Sequence, residues 1–569
     1  MRFHAVAVDF DGTLAHDGAV SEEALEALRC LRKSGRRPIL ATGRIVDQLA
    51  AIFPHLGLFD AVVAENGAVL FDPVSGRQEA LVEPPPRAFV ERLEAKRVPC
   101  LEVGSVIVAT RQPHEATVLE TIRELGLEIG LTFNKGAVMA LPSGVTKASG
   151  LARQLELFKL SFHNVLGIGD AENDLGFLSR CEASAAVANA LPSVKETCDI
   201  VASLSHGRGV CEVIEQLLAD DLQSIEAIER RHRLPIGKIR DGQIVDISVA
   251  CPNILVAGMS GGGKSTLVSG FIEHVGESGY QYCVIDPEGD FAEMKGAIPV
   301  GDAKSEPSLE TVGEVLLSGQ NAIISLLAIK PEDRSSYARR LVGRIAEVRT
   351  QYGRPHWTVI DEAHHLFPAQ AKPQQDPYDP GIGTMFVTTQ PSLVSREALQ
   401  CVHAVIAVGE DARKTVEEAR ELLGVPRGPL DAPKKTEAKH ALLWRRQEPE
   451  IAIDVETLPG KLERRRHERK YAAGQLAEEK SFYFTGPHRK LKLRAQNLLM
   501  FVQIGEGVDD ETWTHHLRRH DYSHWVHECI GDDDLAAEVR AVEDERKTSP
   551  AETRRRIADA VRKRYTAPA

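Results

Sequence analysis

The sequence predicts an α/β protein of two successive parallel-sheet bodies followed by a mostly α-helical C-terminal accessory domain. Two observations predict the sheets: short apolar runs such as HAVAV, RPILAT, NILVAG and TMFVTTQ end in Asp, Gly or Thr, and helical stretches separate them. A third, the highly charged sequence after about residue 457, predicts the helical tail. At 569 residues the chain is too long for a single core, and ordinary domain sizes divide it at 1–220, 221–456 and 457–569. A composition of 43% hydrophobic and 27% charged residues is that of a globular chain able to bury sizeable cores. The opening residues lack the basic, apolar and small-residue order of a signal peptide, and no apolar run approaches the ~20 residues of a membrane span. Nine cysteines stand singly, without a CxxC pair, so neither a disulfide framework nor a thiolate zinc site is expected. A cytoplasmic protein without membrane contact is expected. The net charge of −13 disfavours a protein that coats nucleic acid. The basic stretch from Lys461 to Arg494 fits either a solvated helix face or a local nucleic-acid contact.

The first run, HAVAV, leads into Asp9-Phe10-Asp11-Gly12-Thr13, a buried parallel strand delivering two carboxylates to a turn. RPILAT ends at Thr42-Gly43-Arg44, and NVLGIG ends at Asp170, with Asn173 and Asp174 following. Lys147, in GVTKASGL, heads a helix. Any one of these could be turn chemistry. Together, in order and at strand ends, they mark the place where open α/β sheets keep their active sites.

These residues resemble the haloacid dehalogenase superfamily pattern of DxDGT, Thr/Ser, Lys and GDxxND over about the first 215 residues. The resemblance implies that Asp9 is a nucleophile forming an aspartyl-phosphate, and that Asp11 is the general acid and base. It implies Mg²⁺ held by Asp9, Asp11 and Asp170, with Asp174 and Asn173 around it. Thr42 would hold a phosphoryl oxygen and Lys147 would neutralise developing charge. SVIVAT, EATVLETIRELG and LTFNKGAVMAL, between about Pro84 and Pro142, resemble the small α/β cap of Cof-type phosphatases, which implies a small phosphorylated metabolite as substrate. Arg44 and Asn66 either face the cleft or fix turns.

Further on, NILVAG runs into Gly258-Met259-Ser260-Gly261-Gly262-Gly263-Lys264-Ser265-Thr266 and a helical segment, which is GxxxxGK[ST] in its strand-loop-helix context. The glycines let backbone N–H groups turn toward a β-phosphate, Lys264 reaches the β/γ-phosphates and Ser265 ligates Mg²⁺. QYCVIDPEG, NAIISL, HWTVIDEAHHL, TMFVTTQ and AVIAVG read as the remaining strands. Asp361 is placed to hold Mg²⁺, Glu362 to polarise water, and Gln390 to sense a γ-phosphate.

LPIGKIRDGQIVDI, DPEGD, RPHWTVIDEAHHLFP and TTQPSLVSREAL together resemble the HerA/FtsK ring ATPases, and HerA in particular, over about 230 residues. The resemblance implies a RecA-like (ASCE) domain with ATP as substrate, a homo-oligomer expected to be a hexamer, DNA as a partner, and an arginine supplied in trans by Arg339, Arg340 or Arg396. Two features depart from the family: no N-terminal β-barrel is present, and AQAKPQQDPYDPGIG replaces a longer helical element. In the tail, His516, His520, His524 and His527 are expected on one helical face, at spacings that suit a metal or simply a solvated surface.

The leading expectation is a bifunctional hydrolase, a phosphatase carried on an ATPase ring, with DNA processing or anti-phage defence as its setting by analogy. One rival is a polynucleotide kinase-phosphatase acting on a nucleic-acid end. The other is a metabolic phosphatase whose P-loop domain serves assembly or energy sensing.

Overall fold

The computed structural model describes all residues except 135, 250–252, 260–261, 293, 371–379, 426–427, 438, 459, 461–475, 477–480, 488–490, 531, 546–547 and 566–569, and except the side chains of Asn134, Asp533 and Asp534. The chain forms two compact units, Met1–Lys264 with His274–Thr457, and Ser265–Glu273 with Leu458–Ala569.

Within the first unit, an eight-stranded sheet runs in the order Ile200–Val201, Ala183–Ala186, Val165–Gly169, Ala5–Asp9, Arg37–Ala41, Ala61–Ala64, Val69–Phe71, Gln78–Ala80. The first six strands are parallel and the last two antiparallel. Ala5–Asp9 is buried along its whole length, as a central parallel strand requires, and this is why its sequence is apolar without alternation. Its register sets Val8 against Ile168 and Asp9 against Ala41, so Asp9, Thr42 and Asp170 emerge at one edge of the sheet.

The fourth piece of that edge arrives on a helix. Lys147–Phe158 is capped by Thr146, whose hydroxyl accepts the Ser149 N–H while Ser149 answers the Thr146 N–H. The helix lies close to the turn Glu65–Gly67: a Cβ on Gly150 would fall 2.6 Å from the Gly67 carbonyl oxygen, and one on Gly67 only 1.9 Å from that of Thr146. Two glycines thus permit the approach that brings Lys147 to the strand ends.

Between these elements a four-stranded antiparallel sheet, in the order Glu102–Val103, Val108–Arg111, Ala137–Pro142, Ile129–Asn134, packs with helices Arg87–Ala95 and Glu115–Leu125 around its own core of Phe89, Leu93, Val118, Ile122 and Ala140. LTFNKGAVMAL, read from sequence as one strand, is instead a hairpin: Ile129–Asn134 pairs with Ala137–Pro142. The polar Asn134-Lys135-Gly136 between LTF and AVMAL is the sequence sign of that hairpin.

The second large sheet has eleven strands. Seven are parallel, in the order Val402–Val408, Asn253–Ala257, Thr384–Thr388, Trp357–Ile360, Tyr282–Asp286, Asn321–Ser325, Ala297–Val300. Leu255, Ile285, Ile324, Leu341 and Trp444 belong to its core. His440–Arg445, Glu448–Thr457, Arg233–Lys238 and Ile244–Ser248 extend it as antiparallel strands. The two large sheets meet at a buried polar joint. The Glu182 carboxylate pairs with Arg2, and it lies 2.7 Å from His163 Nδ1 and 2.8 Å from the Tyr280 hydroxyl that donates to it. Beside it, Asn164 Nδ2 donates to the Gly353 carbonyl at 3.1 Å.

The other unit contains helices Leu498–Gly507, Asp510–Arg518, Asp521–Trp525, Asp533–Glu543 and Pro550–Arg564, with a hairpin of Phe482–Phe484 and Leu493–Ala495. Phe484, Phe501, Trp513 and Tyr522 share its core. The four histidines do not lie on one helical face. His520 is left-handed (φ 58°) and breaks the helix, His516 accepts the Thr485 N–H at 3.0 Å and faces Asp521, and His520 turns to Glu543. His524 and His527 are exposed, so the four do not share the single face expected of them. In the basic stretch Lys461, Arg464, Arg465, Arg466, Arg469, Lys470, Arg489 and Lys490 lie outside the described residues, and Arg494 is committed to the Leu476 carbonyl at 2.7 Å.

Gly150→Ala should destabilise the protein by about 1–3 kcal/mol through overpacking against the Gly67 turn. Gly343→Ala, in an exposed helix position with open space around it, should stabilise by about 0.5–1 kcal/mol. Chemical denaturation followed by circular dichroism measures both.

Candidate active site

At the strand-end edge of the first sheet, Lys147 Nζ lies 2.5 Å from Asp9 Oδ1 and 2.6 Å from Asp174 Oδ1, with all three side chains buried. The other Asp174 oxygen accepts the backbone N–H groups of Asp170 and Ala171, each at 3.0 Å. Thr13 donates its hydroxyl to Asp170 at 3.1 Å. Burial first, then the charge of Asp174, pushes the Asp9 carboxyl above its ordinary range against the pull of Lys147. For Lys147, burial opposes the charge, yet Asp174 and Asp9 outweigh it and hold the ammonium above its ordinary range.

Asp9, Asp170 and Asp174 bring one oxygen each within 4.8 Å of one another. Ionised, three buried carboxylates against one ammonium leave a net charge of −2, and hard oxygen donors of that excess fit Mg²⁺. Both polar side-chain atoms of Asn173 are buried beside them with no hydrogen-bond partner among the described residues, so they could order such an ion's surroundings. Asp11, the other expected ligand, is held by Arg44 in a two-pronged pair at 2.7 and 2.8 Å. Thr42 is buried, and its hydroxyl accepts the Arg44 N–H at 3.1 Å. A cavity of about 250 Å³ opens over Asp9 and Asp11, walled by Arg44 and Gln48 below and by Glu102, Ile107, Arg111 and Met139 from the cap sheet. Arg111, Glu102 and Gln48 were not singled out from sequence, because only the folded cap brings them over the strand ends. Asn66 is buried in a left-handed turn (φ 55°) and does not line that cavity.

The second constellation sits on the other large sheet. Lys264 turns inward, donating to the Gly258 carbonyl at 2.7 Å and reaching that of Met259 at 3.4 Å. Gly258 (φ 155°) and Gly263 (φ 93°) carry the loop, Gly262 packs against Gly409, and Ser260 and Gly261 lie outside the described residues. Ser265 and Thr266 stand in the first turn of the helix Lys264–Glu277. Asp361 is buried at the end of Trp357–Ile360, one strand removed from Asn253–Ala257, and burial together with Glu362 and Asp286 pushes its carboxyl up to about 8. Burial and Glu288 also raise Glu362, while burial lowers Lys264 against the pull of Glu362 and Asp361. Gln390 ends near Met259, its amide nitrogen 3.9 Å from the sulfur. Of the three expected trans arginines, Arg339 is committed to Glu397 at 3.4 Å and lies near the Phe367 ring, and Arg340 lies over Tyr337. Arg396 opens the short helix Arg396–Gln400.

A parallel sheet with acidic residues at the ends of adjacent strands, and a separate small sheet over them, defines the first body as a capped α/β enzyme. The sequence profile of the haloacid dehalogenase-like hydrolases matches residues 6–83 and 98–214. The phosphoglycolate phosphatase of Methanothermobacter thermautotrophicus is 33% identical over 220 residues, covering 38% of this chain and 98% of that protein. That of Methanosarcina acetivorans is 30% identical over 223 residues, covering 38% and 97%. A solved Thermoplasma acidophilum structure aligns with a TM-score of 0.34 at 22% identity, over 38% of this chain and 99% of that one. Through its N-terminal body, the chain belongs to the haloacid dehalogenase-like hydrolases. Among the described residues no helix is long and apolar enough to cross a membrane.

With nucleotide omitted, millimolar Mg²⁺ should raise the thermal midpoint of the wild type, since a ligand at 100 times its Kd stabilises by about 2.7 kcal/mol. Asp170→Asn, which removes a charge but keeps the size, should lose most of that shift in differential scanning fluorimetry.

Proposed function

We propose that the N-terminal body hydrolyses the phosphate ester of a small acid or sugar through an aspartyl-phosphate, and that phosphoglycolate, on which the similar proteins are named as acting, heads the substrate classes to try. One observation carries the reading: a buried Asp9 held by Lys147 at the floor of a cavity of about 250 Å³ that also exposes Asp11, Arg44 and Arg111. That volume takes a few-carbon phosphate, and two guanidinium groups suit its anionic ends.

Lys147 keeps Asp9 aimed and offsets charge as the Asp9 oxygen attacks phosphorus. The P–O bond to the alcohol breaks, and Asp11 gives that oxygen its proton. In the second step Asp11 takes a proton from water, whose oxygen attacks the acyl phosphate and frees Asp9 and inorganic phosphate. Arg44 grips both Asp11 oxygens, so an anionic substrate that draws Arg44 toward itself also releases the Asp11 side chain toward the ester oxygen. Asp9 and Asp170, with Asp174 and Asn173 around them, would hold Mg²⁺, whose charge would lower the repulsion between nucleophile and phosphate.

For the second body we propose a Mg²⁺-dependent, HerA-like ATPase. Support comes from the strand order, in which one strand separates the Lys264 loop from Asp361, and from a lysine and two raised carboxyls that converge on that loop. Ser265 and Thr266 are assigned on the sequence motif. A hexameric assembly with sites shared between neighbours, action on DNA, a defence setting and a cytoplasmic location belong to the same proposal. They rest on the resemblance of the motifs.

Asp9→Asn should abolish phosphate release from phosphoglycolate or a sugar phosphate and leave ATP hydrolysis intact, because the two sites lie on different sheets. Lys147→Ala should cost about 10²–10³-fold in kcat. Equal loss of ATPase and phosphatase in Asp9→Asn refutes two independent sites. Lys264→Ala should lose nucleotide binding, whereas Glu362→Gln should bind ATP without turning it over. Mixed into wild type, Glu362→Gln should suppress ATP turnover more than dilution does. Activity falling only in proportion to the mutant fraction contradicts shared sites.

A further inference from the structure

Glu65 is wholly buried, yet sequence offers no reason to single it out. Its carboxylate accepts three consecutive backbone N–H groups of the cap, with Oε1 taking Ser105 at 2.8 Å and Oε2 taking Val106 at 2.7 Å and Ile107 at 2.8 Å. Those amides belong to a tight turn, closed by Gly104 N–H to the Ile107 carbonyl at 2.8 Å, between the strands Glu102–Val103 and Val108–Arg111. Gly104 has no room for a side chain, since a Cβ there would fall 2.6 to 2.7 Å from the Glu65 carboxyl group. On its other side Glu65 grips the core: its N–H donates to the Arg44 carbonyl, and that of Asn66 to the Thr42 carbonyl, both at 3.0 Å. Glu65 and Asn66 are both left-handed, at φ 50° and 55°, a conformation non-glycine residues keep only when their surroundings impose it. An ionised carboxylate is stable without water only when such donors replace it.

We propose that Glu65 is a positioning residue that clamps the Gly104–Ile107 turn of the cap onto the loop carrying Thr42 and Arg44, and so sets how the cap wall closes over the substrate. The turn's flanking strands carry Glu102, Ala109 and Arg111, and Ile107 ends the turn itself; all four line the cavity over Asp9. One carboxylate therefore fixes the distance between the groups that hold phosphate and those that meet the rest of the molecule. The proposal rests on the phosphatase reading for its consequence, but its geometry can be tested without activity.

In the full-length protein, Glu65→Ala should speed hydrogen exchange at the amides of residues 105–107 at least tenfold while leaving the strand Ala5–Asp9 protected. With p-nitrophenyl phosphate and Mg²⁺ it should raise KM, and misplacement of a wall by an ångström can cost about 10²-fold in kcat/KM. kcat should change far less, and Glu65→Gln, which keeps one acceptor oxygen, should recover part of the KM. Gly104→Ala should mimic Glu65→Ala, and adding it to Glu65→Ala should cost little more, because the carboxylate it collides with is gone. Unchanged exchange at 105–107, a fall in kcat at constant KM, or additive effects of the two substitutions would overturn the clamp. A wild type inert toward p-nitrophenyl phosphate would count against the phosphatase reading, and the exchange measurement would then decide the clamp by itself.

Discussion

A buried ammonium shared by two buried carboxylates organises the N-terminal body. Lys147 contacts Asp9 and Asp174, and all three side chains are buried. Removing one partner from such a cluster leaves a charge that the interior cannot solvate, so the elements that deliver the three groups must arrive together. Asp9 comes from the central strand, whose apolar run is buried on both faces. Asp174 is fixed by the amides of Asp170 and Ala171 just beyond the neighbouring strand. Lys147 comes on a helix whose first turn is capped by Thr146 and whose approach depends on Gly67 and Gly150.

Much of this was legible in the sequence because strand ends and motif residues coincide. An apolar run ending in a polar residue gives both the strand and the site, which is how Asp9, Thr42 and Asp170 fall together, and Lys147 joins them from the head of a helix. Residues whose role comes from tertiary approach carry no such sign. Glu65 sits in an ordinary turn sequence and acquires its partners only when the cap loop folds over it. Arg111 alternates in a cap strand like any exposed cation, and its position over Asp9 depends on the cap's placement. The histidines at 516, 520, 524 and 527 show the reverse error: spacing suggested one face, but His520 takes a left-handed backbone and ends the helix. The hairpin His440–Thr457, which extends the second sheet, escaped notice because it follows the last motif strand without a motif of its own.

The joint between the two large sheets lies away from the acidic strand ends of both. His163 and Asn164 immediately precede the strand Val165–Gly169, and Gly353 and His356 shortly precede Trp357–Ile360. Contacts there lie at the amino ends of strands whose carboxyl ends deliver Asp170 and Asp361. Glu182, with Arg2, His163 and Tyr280 around it, closes the joint with groups that belong to neither site. The sheets are fastened at the ends opposite Asp170 and Asp361, which leaves both acidic ends clear of the joint.

The two acidic ends also share one electrostatic condition. At Asp9 the burden is burial and the charge of Asp174, with Lys147 as the counterweight. At Asp361 it is burial with Glu362 and Asp286, and Lys264 stands at the loop one strand away. In each case the protein gathers more negative charge than its lysine offsets, and raised carboxyls are the sign of that excess. A fold selected for stability alone would dilute such charges or replace them with apolar side chains. At the carboxyl ends of parallel strands, where open α/β sheets meet their ligands, a bound cation would offset that excess.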